Sequence, residues 1–116
     1  MASSCQPHEA ATPLALYPGH QEGDTAKLQG TLEMAGGCLY ISKGGERWLA
    51  AFPSPGTSWD PESQSIRLEE KVRRVGTSGG FAGGETRGGT SSIQWVQPPA
   101  KGCDGSKIWM VTALMD

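Results

Sequence analysis

Residues 27 to 34, Lys27-Leu28-Gln29-Gly30-Thr31-Leu32-Glu33-Met34, alternate an apolar or small residue with a polar one. A period of two gives a strand one dry face and one wet face, the pattern of an antiparallel sheet packed on one core. Working outward, Ala35, Gly36 and Gly37 supply a turn, and Cys38-Leu39-Tyr40-Ile41-Ser42 returns as the second strand of a β-hairpin. Lys43, Gly44, Gly45 and Glu46 turn the chain again into Arg47-Trp48-Leu49-Ala50-Ala51-Phe52, the third strand of a meander.

Beyond Phe52 the three prolines Pro53, Pro55 and Pro61 predict a long connection, because proline cannot donate to a central ladder. Short strands are predicted around Gln64 to Leu68 and Lys71 to Val75, with a bulge or early end where Val72 and Val75 break the alternation. Glycine dominates from Gly76 to Gly89, which reads as a mobile rim loop or hairpin tip, the alternative being a loop whose backbone comes close to something else. Ile108-Trp109-Met110-Val111-Thr112-Ala113-Leu114 is apolar on both faces and suits a strand that closes a barrel. No segment carries a capped 3.6-residue pattern. The expectation is an all-β domain, a small antiparallel barrel of five to seven strands of the OB-like kind, with a compact β-sandwich as the alternative.

Upstream, residues 1 to 24 lack periodicity and carry Pro7, Pro13 and Pro18, so they read as a flexible tether, leaving 25 to 116 as the single barrel domain. A short apolar patch, Leu14, Leu16 and Tyr17, is able to dock on that domain. With 116 residues the chain has room for one core. Its 10 basic and 12 acidic residues are interspersed, and the one basic cluster, Lys71, Arg73 and Arg74, directly follows Glu69 and Glu70, which disfavours a nucleic-acid partner. No apolar run approaches the roughly 20 residues of a membrane span.

The cysteines Cys5, Cys38 and Cys103 are too far apart for a zinc knuckle or a CxxC motif, leaving buried thiols or a disulfide with one cysteine over. Cys5 follows Ala2, Ser3 and Ser4 and precedes a polar, proline-bearing stretch, which suits the lipid-attachment cysteine of a bacterial lipoprotein. In the cell envelope Cys38 and Cys103 can oxidise to each other; in the cytosol they would remain separate thiols.

Leu32, then Gly36-Gly37-Cys38-Leu39-Tyr40, then Trp48-Leu49 leading to Phe52-Pro53, Val75-Gly76, and Cys103 ahead of Trp109-Met110-Val111 resemble a group of small bacterial secreted or lipoprotein β-domains. The resemblance spans roughly residues 28 to 112 and rests on structural motifs. It implies a small β-barrel with Cys38 and Cys103 bridged, and no particular reaction.

Catalytic chemistry finds little support. A hydrolase needs a nucleophile, a base and an orienting group held in place, and the two histidines, His8 and His20, fall in the tether. Cys5 with His8 and His20 is a weak soft-metal candidate, and no metal or other cofactor is expected. Gly79-Gly80-Phe81-Ala82-Gly83-Gly84 lacks the lysine and hydroxyl residue of a phosphate loop. Trp48 and Trp109 fall within strands and read as core. Trp59 and Trp95 fall in connections and, with Arg73 and Arg74, form the candidate binding surface. The expected protein is therefore a non-enzymatic, monomeric envelope module, periplasmic or anchored at the outer membrane through Cys5, that binds or inhibits an envelope protein or glycan. The alternative is an OB-like binder of a small ligand, oligosaccharide or single-stranded nucleic acid through loop aromatics.

Overall fold

The structure, a computed structural model, describes residues 12–19 and 26–115. Its described strands are β1 (Leu16–Pro18), β2 (Ala26–Ala35), β3 (Cys38–Lys43), β4 (Glu46–Ser54), β5 (Thr57–Asp60), β6 (Ser65–Leu68), β7 (Lys71–Arg74), β8 (Ser78–Thr86) and β9 (Ile108–Met115). The predicted meander is β2-β3-β4. Its two turns place Gly36-Gly37 and Gly44-Gly45 at positive φ, the geometry that a two-residue hairpin of matching twist demands.

Five strands close into a ring in the order β2-β3-β4-β9-β8 and back to β2. This is the expected all-β, OB-like barrel. One contact departs from the antiparallel expectation: β4 and β9 run parallel, Leu49 to Ala51 against Ile108 to Met110. Strand β2 serves two neighbours, pairing with β8 from Ala26 to Thr31 and with β3 from Thr31 to Ala35. Gly30 stands at that changeover, where a Cβ would come within 2.6 Å of the Ser42 carbonyl oxygen. The missing side chain lets β2 bend against β3 and the ring close.

The inward residues Leu28, Leu32, Leu39, Ile41, Trp48, Ala50, Phe52, Phe81, Trp109, Val111 and Leu114 form the barrel core. Strands β5, β6 and β7 make a separate antiparallel sheet that adds Ile66 and Leu68 to it. Trp48 and Trp109 are core residues, as their strand positions predict.

Three expectations are corrected. The patch Leu14, Leu16 and Tyr17 docks on the domain, as its apolar residues allowed, so the stretch read as tether does not run unbroken to residue 24: Leu14, Ala15 and Tyr17 are buried, and β1 lies parallel to β4 with Leu16 opposite Phe52. Residues 1–11, 20–25 and 116, with Cys5, His8 and His20 among them, lie outside the described residues. The connection from Pro53 to Pro61 contains the end of β4 and all of β5, because Pro53 and Pro61 fall at strand ends and Pro55 in the turn between. The glycine stretch is no loop: most of it is β8, a barrel strand flanked by β2 and β9. Its glycines leave space for neighbours. The Arg73 guanidinium occupies the position of a Cβ on Gly79, and the Met110 carbonyl that of one on Gly83, next to a register shift between Ala82 and Gly83.

Gly83→Ala is accordingly expected to cost about 3 kcal/mol, the upper range for overpacking, because the obstacle is backbone. A urea denaturation midpoint equal to the parent's would contradict this close approach.

Candidate functional site

Cys38, buried at the start of β3, is disulfide-bonded to Cys103 in the connection between β8 and β9, with the two Cα atoms 5.8 Å apart. The bridge pins that connection over the outer surface of β3, β4 and β9. There Tyr17, Cys38, Tyr40, Leu49, Ala51, Ile108 and Met110 form a second apolar cluster, covered by Ile93, Trp95 and Cys103. Polar contacts hold the cover down. The Asp104 backbone N–H donates to the Tyr40 hydroxyl of β3 at 2.9 Å, and within the cover the Trp95 indole N–H donates to the Thr90 carbonyl at 2.9 Å. Gln97 reaches back to the N-terminal segment, its side-chain amide donating to the Leu14 carbonyl at 2.8 Å.

The four residues of the candidate binding surface do not converge. Trp95 is half-buried in the cover just described. Arg73 is buried: its Nη2 donates to the Met115 carbonyl at 2.7 Å, and its guanidinium lies 4.8 Å from the centre of the Phe81 ring. Its inward direction follows from register, since Trp59, Ile66 and Arg73 are cross-strand partners on the face that β5, β6 and β7 turn to the barrel. Arg74, one residue on, points outward and is exposed, opposite Ser65.

Trp59 is the member left available. It packs against the barrel core yet remains half-exposed, and it lines two grooves. One, of about 240 Å³, is lined by Thr12, Pro13, Met34, Gly37, Pro61 and Gln64. The other, of about 360 Å³, runs over Ser58, Ser65, Arg67 and Val72. Beside it the Asp60 carboxylate accepts from the Ser63 hydroxyl at 2.8 Å and from the Glu62 backbone N–H at 3.0 Å. These bonds, the Ser63 hydroxyl first, hold the Asp60 carboxyl below the ordinary aspartate range. The Ser106 backbone N–H and hydroxyl do the same for Asp104.

A polar row across the barrel surface was not legible in the sequence. Ser78 pairs with Thr31, Thr31 with Ser42, and Ser42 with Arg47, so four strands place these side chains side by side. Alternation marks each as outward-facing, but only the register aligns them. Among the described residues no three of His, Cys, Asp and Glu stand close enough to hold a metal, and no helix is long and apolar enough to cross a membrane. A buried disulfide suits an oxidising compartment outside the cytosol. Comparison with protein-family models, with curated proteins and with solved structures found no match.

Two outcomes follow. A lowered carboxylate pKa adds stability above the unfolded-state value that is lost as pH falls through the folded-state value. Ser63→Ala should therefore move the Asp60 titration, followed by carboxyl NMR, upward towards the ordinary range, and an unmoved titration would refute the assignment. Replacing Cys38 and Cys103 together by serine should remove about 4 kcal/mol, the loop-entropy value for a ring closed over 65 positions. The same variant should shift Trp95 emission to longer wavelength; unchanged stability and emission would show that the cover holds without the bridge.

Proposed function

We propose that this protein is a non-enzymatic binding or inhibitory module of the bacterial cell envelope, tethered through a lipid on Cys5, whose contact point for another envelope macromolecule is Trp59. The observation that carries the reading is the placement of that indole. It is half-buried against the core, rigidly backed by Ile66, and bordered by Pro13, Met34 and Pro61 in a groove sized for one side chain. A large amphipathic ring held by its scaffold loses little entropy on binding, which is why such residues anchor interfaces. Trp95 lends no support to a ligand site built from loop aromatics, because it is spent on the cover of the second cluster. The face of β3 and β4, where OB-like barrels commonly receive ligands, is partly occupied by the chain's own connection.

The disulfide is consistent with an envelope location, and the proximity of Thr12 to the Trp59 groove puts the contact point near the exit of the N-terminal segment. Thr12 lies seven positions after Cys5, a span of at most about 25 Å when extended, so a lipid on Cys5 would keep Trp59 close to the bilayer surface.

Affinity capture from envelope extract should retain a partner on the parent protein and lose it on Trp59→Ala, with Trp95→Phe retaining it. A partner held equally by both variants would exclude Trp59 as the contact. Intact mass of the envelope-extracted protein should carry a diacylglycerol adduct on Cys5, and its absence would remove the tether from the proposal.

A further inference from the structure

We infer that the open edge of β9 is a docking site for an extended segment of another protein, one that alternates small apolar with basic side chains and adds to the barrel as a strand. β4 leaves β9 after Met110 and takes β1 as its neighbour, so beyond that point β9 is paired along one side only, by β8. The carbonyls at the two ends of the free stretch are answered by side chains, that of Val111 by the Tyr17 hydroxyl and that of Met115 by Arg73. Between them Thr112, Ala113 and Leu114 have no backbone partner on the side away from β8 among the described residues. A strand paired on one side turns alternate N–H and C=O groups outward, and such a row is a template for another extended chain.

Nothing guards this edge. The outer strands of the small sheet carry charge, Lys71 and Arg74 on β7 and Asp60 at the end of β5, where Pro61 follows. Charges and prolines are the usual protection against strand addition. Thr112-Ala113-Leu114-Met115 carries neither, and Ala113 and Met115 are exposed.

The occupant follows from the slot along the edge. A groove of about 560 Å³ lies between Thr112, Ala113 and Leu114 on one side and residues 68–71, the turn between β6 and β7, on the other. Leu68 and Leu114, both core residues, give it an apolar floor, and Glu69 and Glu70 stand exposed on the far wall. That wall is fixed in place, because the Glu69 backbone N–H donates to the Gly56 carbonyl at 2.9 Å. An extended chain laid in the slot directs alternate side chains to the floor and to solvent. On the solvent side two carboxylates against the single ammonium of Lys71 favour basic residues. A second copy of this chain is the poorer occupant, since pairing β9 with β9 about a two-fold axis brings the acidic turns of both copies to the joint. The slot is a different surface from the Trp59 corner, so either assignment can fail without the other.

The test is titration of the isotopically labelled full chain, disulfide intact, with a six-residue peptide alternating valine and lysine, following backbone amide shifts and hydrogen exchange. Saturable shifts confined to residues 68–71 and 112–115 are expected, together with slowed exchange within Thr112 to Leu114. A peptide alternating valine and glutamate should bind about tenfold more weakly, and the valine and lysine peptide N-methylated at every residue, which cannot complete a ladder, should not bind. Replacing Glu69 and Glu70 together by glutamine should weaken the parent peptide about fivefold while the amide spectrum elsewhere stays that of the parent protein. No saturable shift at millimolar concentration would overturn the assignment, as would equal binding of the N-methylated or the glutamate peptide, or shifts centred on Trp59. Slowed exchange at Thr112 to Leu114 that rises with protein concentration in the absence of peptide would replace the peptide by a second copy and equally overturn it.

Discussion

Leu49, Ala50 and Ala51 meet Ile108, Trp109 and Met110 as parallel partners, a three-pair ladder that, with the Leu49 N–H bonded to the Lys107 carbonyl at 2.8 Å, closes the barrel. Past Met110 the two strands part, β9 staying with β8 and β4 taking β1 as its neighbour. The divergence would leave polar backbone of β9 facing the core region, a costly arrangement unless something else bonds it. Two side chains answer that need. The Tyr17 hydroxyl donates to the Val111 carbonyl at 2.6 Å, and Arg73 donates to that of Met115. One comes from the N-terminal segment and one from the small sheet, so both additions to the five-stranded ring bond β9 carbonyls beyond its contact with β4.

This constraint orders the rest of the molecule. Tyr17 is nearly fully buried and belongs to the second apolar cluster, so the seam and the cover pinned by Cys38 and Cys103 share a side chain. The disulfide then stabilises more than a connection, because it keeps water from the face on which Tyr17 rests. Arg73 links the other side: its guanidinium lies on Gly79 and Phe81, and it brings Ile66 and Leu68 against the barrel core. The bond from Arg73 to a carbonyl and its place over an aromatic face offset part of the cost of burying it. Open surfaces outside these seals include the Trp59 corner, the polar row from Ser78 to Arg47 and a groove between the β6–β7 turn and the end of β9.

The sequence made the meander readable because both its signals are local. Alternation from Lys27 to Met34 needs only neighbours in the chain, and Gly36-Gly37 and Gly44-Gly45 are turn chemistry at the required positions. The late strand was legible for a similar reason, its two-sided apolar character. By contrast, β8 looked like a loop because its glycines answer to residues distant in sequence, Arg73 and Met110, whose approach no local pattern records. Arg73 read as a surface cation next to Arg74, and only the partnership with Ile66 shows that alternate residues of β7 turn opposite ways. The prolines made the first residues read as tether, and within them only the apolar patch Leu14, Leu16 and Tyr17 signalled the segment that docks. Of the candidate site, Trp59 was found from its sequence position, while the row from Ser78 to Arg47 depends wholly on register.

The account's central claim is that the barrel seam is completed by the N-terminal segment. Amide hydrogen exchange on a chain lacking residues 1 to 19, compared with the full chain, tests it most directly. The account predicts that protection falls first and furthest at Leu49 to Ala51 and at Ile108 to Leu114, with the β2-β3 hairpin less affected. Protection at those two segments equal to that in the full chain would contradict it.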